Sequence, residues 1–160
     1  MASWNLIRML LTRIAVHGWH TKQLDYVLAY PQVPVERYLY MEIPAGFEIE
    51  NGKNLDYVLE IHSNIYGQKQ AGQVWNHYFV NKLANELGFK QSKVDGCVFY
   101  RGQTLYVLYT YNSILAGPSE KEIDQIIKDL RKAKLDLTIE GDLQYFLGVN
   151  IEKKKDGTIH

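Results

Sequence analysis

Residues 98–117 decide the fold, and they read VFYRGQTLYVLYTYNSILAG. Gly102-Gln103 supplies the turn of a β-hairpin that joins Val98–Arg101 to Thr104–Tyr111, two runs rich in aromatic and aliphatic residues. A second turn near Tyr111-Asn112 would return the chain as a third strand. The stretch therefore predicts consecutive antiparallel strands.

Helices are predicted on both sides of these strands, each from apolar residues at helical spacing with a start or stop signal. They are Leu6 to Ile14 with a stop at Gly18, Ala71 to Leu87 with a C-cap at Gly88, and a helix that opens at the Ser119/Glu122 capping box and runs to about Ala133.

The remaining strands and turns are predicted from alternating or apolar runs and from turn dipeptides. The strands are Trp19 to Tyr26, which carries Asp25, then Tyr38 to Ile43, Tyr57 to Ile61 and Phe146 to Glu152, and the turns are Asn51-Gly52 and Asp156-Gly157. The order of elements predicts an α+β fold with mostly antiparallel strands.

Charge and cysteine content exclude several classes of site. Lys and Arg total 18 and Asp and Glu total 18, so the net charge gives no support for polynucleotide binding, although a local basic strip remains compatible with it. Cys97 is the single cysteine, so the chain forms no internal disulfide and no thiolate zinc site. Its apolar neighbours predict a buried thiol.

The N-terminal segment has two interpretations. Met1 to His20 contains arginines and no acids, which loosely resembles an organelle transit peptide. An amphipathic helix explains the same spacing equally well. Arg8 and Arg13 interrupt the apolar stretch, so no transmembrane segment is predicted, and an intracellular location, cytoplasmic or nuclear, is expected.

Five short motifs carry more specific information than periodicity does. They are Gln23–Tyr30, Tyr40–Phe47, Ile65–Trp75, Gly88–Asp95 followed by Cys97-Val98-Phe99, and Gly141–Ile151. In this order they resemble the motifs of Ty1/copia-type retrotransposon reverse transcriptases, the RNA-directed DNA polymerases of Pol polyproteins. Each motif alone is weak, but the ordered set extends over nearly the whole chain.

The resemblance implies the fold of a reverse-transcriptase palm with part of the fingers, an antiparallel sheet packed on helices. Residues 1–160 would form a partial fingers and palm domain truncated at both ends. The upstream fingers hairpin and the downstream connection and RNase H segments of the family would be missing.

The resemblance also implies a catalytic site in which two of three carboxylates are replaced. Asp25 stands at the metal-ligand position of motif A, while Tyr111 and Asn112 stand where the family carries an Asp-Asp pair. Two Mg²⁺ ions need several anionic oxygen ligands. A tyrosine, with a reference pKa of about 10, is neutral at pH 7, and asparagine has no charge. An inactive polymerase is therefore expected, with Mg²⁺ not bound productively.

Further site residues follow from the resemblance alone. They are Tyr30 as a steric gate, Lys69 and Gln70 as contacts to template or nucleotide, and Phe146, Leu147 and Gly148 as the primer grip. Gln73 stands in place of a motif B arginine. The implied partners are a primer–template of RNA and DNA and a nucleoside triphosphate, bound weakly, with self-association through the truncated edges.

Two alternatives remain open at this point. The chain could be a non-catalytic nucleic-acid-binding or protein-binding remnant that keeps the palm surface. It could also be a live enzyme that uses shifted carboxylates such as Asp95 or Asp142.

Overall fold

The computed structural model describes residues 4–47, 56–146, 149–152 and 154. The elements follow one another in this order: α1 Trp4–His17, β1 His20–Tyr26, β2 Pro34–Glu42, β3 Val58–Ser63, α2 Ala71–Asn81, β4 Lys90–Gln91, β5 Val98–Arg101, β6 Thr104–Tyr109, β7 Asn112–Gly117, α3 Glu120–Lys132, β8 Leu137–Gly141, β9 Tyr145–Phe146 and β10 Val149–Asn150. The predicted α+β class is confirmed.

Six strands form one antiparallel sheet in the order β4-β5-β6-β7-β1-β8. The hairpin that joins β5 to β6 is confirmed. The predicted position of the second turn was one residue too late, because Tyr109 pairs with Asn112 and the turn is Thr110-Tyr111. Thr110 adopts a φ of 57°, a conformation that few residues other than glycine accept.

Helix α1 packs on one face of this sheet. Successive side chains of a strand point to opposite faces, so Ile114 and Ala116 of β7 share a face. Both belong to the hydrophobic cluster that α1 enters, together with Val107 of β6. The residues that α1 contributes to the cluster are Leu6, Ile7, Leu10 and Ile14, which fall at helical spacing.

The opposite face of the sheet packs against α2 and α3. Tyr26 on this face contacts the ring of Phe79 of α2, with the ring centroids 4.8 Å apart. Helix α3 contacts β1 and β7 and buries Ile123, Ile126, Ile127 and Leu130, none of which belongs to the α1 cluster. The predicted Ser119 cap is confirmed, since its Oγ accepts a hydrogen bond from the Glu122 N–H at 3.3 Å.

Several sequence predictions were wrong in detail. The predicted strand Phe146 to Glu152 is instead the two-stranded hairpin of β9 and β10, in which Val149 pairs with Phe146. Strands β4 and β8 were not predicted. The helix predicted for Ala71 to Leu87 with a C-cap at Gly88 is confirmed, with one difference in its last turn. The α-helix ends at Asn81 and continues as a π-helical turn, Lys82–Glu86, before Gly88 with a φ of 69°.

The sequence predicted a buried thiol at Cys97, and the structure shows it only partly buried. This partial burial raises the pKa of the thiol. The turns predicted at Asn51-Gly52 and Asp156-Gly157 lie outside the described residues.

The chain divides into two compact units, one of Met1–Val27 with Asn76–His160 and one of Leu28–Trp75. The second unit contains an antiparallel ribbon of β2 and β3, in which Met41 pairs with Leu59. The buried Asn64 side chain fastens the ribbon, because its Nδ2 donates to the carbonyl oxygens of Val33 at 2.9 Å and Pro34 at 3.1 Å.

Candidate active site

Asp25 and Asn112 are direct cross-strand neighbours at one end of the sheet. Their Cα atoms are paired in the register of β1 and β7, so the two side chains share a face. The Tyr26 N–H donates to the Tyr111 carbonyl oxygen at 2.9 Å, which fixes the β6–β7 turn against β1. The structure therefore brings together the three positions that the sequence analysis assigned to the replaced carboxylate site.

The Asp25 carboxyl lies in an unfavourable environment for a negative charge. Burial raises its pKa, and the nearby carboxylate of Glu140 raises the pKa further. Glu140 belongs to β8, and its Oε2 accepts a hydrogen bond from Gln23 Nε2. On the same strand, the Thr138 hydroxyl contacts the Asp25 carbonyl oxygen at 3.5 Å.

These side chains do not fit a pair of Mg²⁺ ions. Tyr111 offers a neutral phenol that is 41% exposed, and Asn112 offers one uncharged amide oxygen. Within the described ranges, no three or more His, Cys, Asp or Glu side chains converge on a point where they could hold a metal ion. Asp25 with Glu140 supplies two carboxylates, and one of them is already engaged by Gln23.

A chain of buried hydroxyl groups lies behind the site and was not predicted. The Tyr106 hydroxyl donates to Ser113 Oγ at 2.6 Å, and the hydroxyls of Tyr26 and Tyr106 are also 2.6 Å apart. Since the Tyr106 proton is used toward Ser113, Tyr26 is the donor to Tyr106. Burial raises the pKa of both phenols. In the sequence, Tyr26 follows Asp25 and Ser113 follows Asn112. These hydroxyl groups, which we call the tyrosine–serine chain, therefore join β1 and β7 on the sheet face opposite Asp25 and Asn112.

The residues assigned to nucleotide contacts lie in the second unit. Tyr30 packs on Tyr66 with ring centroids 4.6 Å apart. The Tyr30 hydroxyl lies next to Gly72, where the β-carbon of any larger residue would be 3.6 Å from the Tyr30 hydroxyl oxygen. Lys69 and Gln70 are both exposed in the loop before α2. Gln70 also borders a cleft of about 400 Å³ whose lining includes Arg37, Asn64 and Val74.

Residues on both sides of the segment assigned to the primer grip pack in the core on the sheet face that carries Asp25. Leu143 and Ile151, on either side of the β9–β10 hairpin, both enter the α1 cluster. The Ile151 N–H donates to the Gln144 carbonyl oxygen at 2.7 Å and closes the hairpin. Phe146 lies in β9, whereas Leu147 and Gly148 are outside the described residues.

The carboxylates proposed as substitutes have other partners. Asp95 Oδ1 accepts a hydrogen bond from the Cys97 N–H at 2.9 Å in a local turn. Asp142 forms an ion pair with Lys22 at 3.2 Å. Neither contact directs these carboxylates toward Asp25.

The order of the five motifs and the mostly antiparallel sheet agree with a comparison to protein families. A family model described as reverse transcriptase (RNA-dependent DNA polymerase) matches residues 1–159. The chain belongs to the reverse transcriptase family of Ty1/copia-type elements. The resemblance drawn from its five motifs is thereby confirmed.

Curated relatives of this reverse transcriptase chain are transposon proteins. A putative transposon Ty5-1 protein of Saccharomyces cerevisiae is 30% identical over 142 residues, which cover 85% of this chain and 44% of that protein. The retrovirus-related Pol polyprotein from transposon TNT 1-94 of Nicotiana tabacum is 27% identical over 93% of this chain and 11% of its own length. The Transposon Ty1-DR1 Gag-Pol polyprotein of Saccharomyces cerevisiae is 27% identical over 87% of this chain and 8% of its own.

The chain therefore spans less than half the length of each of these three relatives. No solved structure matches it. None of the helices in the described ranges has the length and hydropathy needed to cross a membrane.

Proposed function

We propose that this chain is a fingers and palm domain of reverse transcriptase type that no longer polymerises. The observation that carries the proposal is the pairing of Asp25 with Asn112, beside a turn that presents Tyr111. In a polymerase of this family, two divalent ions would activate the primer hydroxyl and stabilise the leaving pyrophosphate. Here one carboxylate remains at the three site positions, which is too few for that ligand set.

The surroundings of Asp25 support the same proposal. A further carboxylate, Glu140, lies near Asp25 on β8 and accepts a hydrogen bond from Gln23. Within the described residues, no third His, Cys, Asp or Glu side chain joins these two carboxylates. Two carboxylates are few for two Mg²⁺ ions, which need several anionic oxygen ligands.

Other assigned roles belong to the proposal as well. Tyr30 would be the steric gate, Lys69 and Gln70 would contact nucleotide or template, and Phe146 would mark the primer grip. Their surroundings are compatible with these roles: Gln70 borders an open cleft, and the flanks of the β9–β10 hairpin pack on the Asp25 face.

Primer extension with Mg²⁺ or Mn²⁺ on a poly(rA)/oligo(dT) template tests the proposal. We expect no product above the no-enzyme control, and extension by the unaltered protein would refute the proposal. Mn²⁺ titration of the Tyr111→Asp/Asn112→Asp variant tests its physical basis. This variant should gain saturable Mn²⁺ binding that the unaltered protein lacks, and adding Asp25→Asn should remove it.

A further inference from the structure

Two tyrosines of strand β2 are exposed on one face of the ribbon of β2 and β3. Tyr38 is 82% exposed and Tyr40 is 58% exposed, and Tyr40 pairs directly with Glu60 of β3. Further along β2, Glu42 pairs with Val58, which is 60% exposed. Because alternate residues of a strand point to the same side, these side chains share one surface. We call Tyr38, Tyr40, Glu42, Val58 and Glu60 the ribbon tyrosine face.

A cleft of about 330 Å³ opens at one end of the ribbon tyrosine face. Tyr38 and Glu60 of that face contribute to its walls. The cleft is at the lower end of the range for ligand pockets, which is about 300–1,000 Å³. It therefore admits a side chain or another small group. The other residues that line it are Val35, Glu36, Arg37, Ile61 and His62.

The carboxylates of the face and the cleft are not neutralised. Glu36, Glu42 and Glu60 are all exposed, and none of them forms an ion pair with another described residue. Of the described residues that line the cleft, Arg37 is the only lysine or arginine, whereas Glu36 and Glu60 are two acids. The cleft is therefore negatively charged when His62 is neutral.

We propose that the ribbon tyrosine face binds a basic, extended segment of a partner protein, with one arginine or lysine side chain of that segment in the cleft. Charge complementarity carries the assignment, because carboxylates without a basic partner attract cations. The tyrosines favour the same ligand, since a guanidinium or ammonium group binds the face of an aromatic ring. None of these residues belongs to the candidate active site, so the proposal does not depend on the proposed function.

The geometry of β2 explains why the segment should be extended. Alternate residues of a strand are about 6.8 Å apart, and this is the spacing between Tyr38 and Tyr40 and between Tyr40 and Glu42. A segment with a cation at every second position has the same spacing when it is extended. It can therefore place successive cations on successive residues of the face.

Two other occupants fit the face less well. A symmetric contact with a second copy would bring the carboxylates of Glu42 and Glu60 near those of the other copy, and like charges repel. A single-stranded nucleic acid could stack its bases on the tyrosines, but its phosphates would meet the same carboxylates. Self-association suits the opposite face of the ribbon better, because Met41 there pairs with Leu59.

The charge contribution is tested with a matched pair of variants. Glu42→Gln/Glu60→Gln removes two negative charges from the ribbon tyrosine face and nearly keeps the shape of the side chains. Asp124→Asn/Glu152→Gln removes the same charge from exposed positions of the other unit, where neither acid forms an ion pair with a described residue.

Fluorescence anisotropy of a labelled peptide in which arginine and threonine alternate measures binding to the full chain. We expect Glu42→Gln/Glu60→Gln to weaken binding about 2- to 30-fold, the range for two exposed ion pairs, and the control variant to change it by less than about 2-fold. Added salt should weaken binding to the unaltered protein more than binding to the charge variant.

A second pair of variants tests the rings. Tyr38→Thr/Tyr40→Thr removes both rings and keeps residues that favour a strand, whereas Tyr38→Phe/Tyr40→Phe keeps the rings. The threonine variant should bind the peptide about 5- to 30-fold more weakly, and the phenylalanine variant should bind it nearly as the unaltered protein does. Circular dichroism checks folding, and the glutamine variant decides the question if the threonine variant fails to fold.

Several results would overturn the inference. One is equal weakening in Glu42→Gln/Glu60→Gln and its control, and another is no measurable peptide binding by the unaltered protein at low salt. Equally tight binding of a peptide with glutamate in place of arginine would do the same. If Tyr38→Thr/Tyr40→Thr lost self-association in sedimentation, or binding to a single-stranded RNA, but kept its affinity for the peptide, the occupant would be a second copy or a nucleic acid instead.

Discussion

Within the tyrosine–serine chain, removing the Tyr106 hydroxyl should destabilise the first unit more than removing the Tyr26 hydroxyl. Tyr106→Phe keeps the ring and its contacts with Phe79 and Phe89 but deletes the oxygen that bonds to both Tyr26 and Ser113. Tyr26→Phe deletes the donor to Tyr106, whereas Tyr106 still donates to Ser113.

The structure allows the two free-energy changes to be ranked. A buried hydrogen bond contributes about 1 kcal/mol net, and a buried polar group that loses its partner costs about 1–3 kcal/mol. Tyr106→Phe breaks two bonds of 2.6 Å and removes the donor to Ser113 Oγ, in a fully buried residue. We therefore expect a loss of about 2–4 kcal/mol for Tyr106→Phe and about 1 kcal/mol for Tyr26→Phe.

Urea unfolding followed by both circular dichroism and tryptophan fluorescence measures these changes. Ser113→Ala should cost less in the Tyr106→Phe background than in the unaltered protein, because the bond it removes is already absent. If Tyr106→Phe proved no more destabilising than Tyr26→Phe, the chain of hydroxyls would not stabilise the sheet as described.

Three further results are expected. Burial raises the pKa of the Tyr26 and Tyr106 phenols, so the free energy of unfolding should be unaffected by them below about pH 10 and should fall above that pH by about 1.4 kcal/mol per pH unit for each phenol. In urea unfolding at alkaline pH, Tyr106→Phe, which leaves one of the two phenols, should halve the part of this fall that the pair causes. Burial and Glu140 raise the pKa of Asp25, so Asp25→Asn should increase the free energy of unfolding at neutral pH, and the gain should disappear below about pH 4, where Asp25 is protonated in both states; an equal gain at both pH values would contradict this. We expect the protein to associate as its concentration rises, through the exposed ribbon of β2 and β3, and Met41→Lys/Leu59→Glu, which places an ion pair on that ribbon, should associate less in light scattering; no association of the unaltered protein, or equal association of both proteins, would contradict this.

Strong local signals made part of the fold predictable from the sequence. The stop signal at Gly18 predicted where α1 ends, and the Ser119 cap predicted where α3 begins, because backbone geometry and capping are decided within a few residues. The hairpin of β5 and β6 followed from Gly102 for the same reason. The resemblance then placed Asp25, Tyr111 and Asn112 together, and the register of β1 and β7 agrees.

The features that sequence reasoning missed depend on contacts between distant residues. Strand β8 is short and is held mainly by pairing with β1, more than 100 residues away in the chain. The β9–β10 hairpin was taken for a single strand, although Gly148 offered a turn signal. The link of Tyr26 to Ser113 through Tyr106 has no local pattern at all, since it joins residues of three strands.

Strand β1 lies between β7 and β8 in the sheet, and both of these strands are synthesised long after it. Its partners are β7 and β8, and the 85 residues 27–111 separate Tyr26 from Asn112, the first residue of β7. A ribosome that adds about 5–20 residues per second makes this interval in roughly 4–17 s. Throughout that time both edges of β1 lack their native strands, and its apolar Leu24 and Tyr26 have no sheet to cover them. The nascent chain is therefore most exposed to aggregation before residue 112 leaves the ribosome, and chaperone demand should fall once β7 has been made.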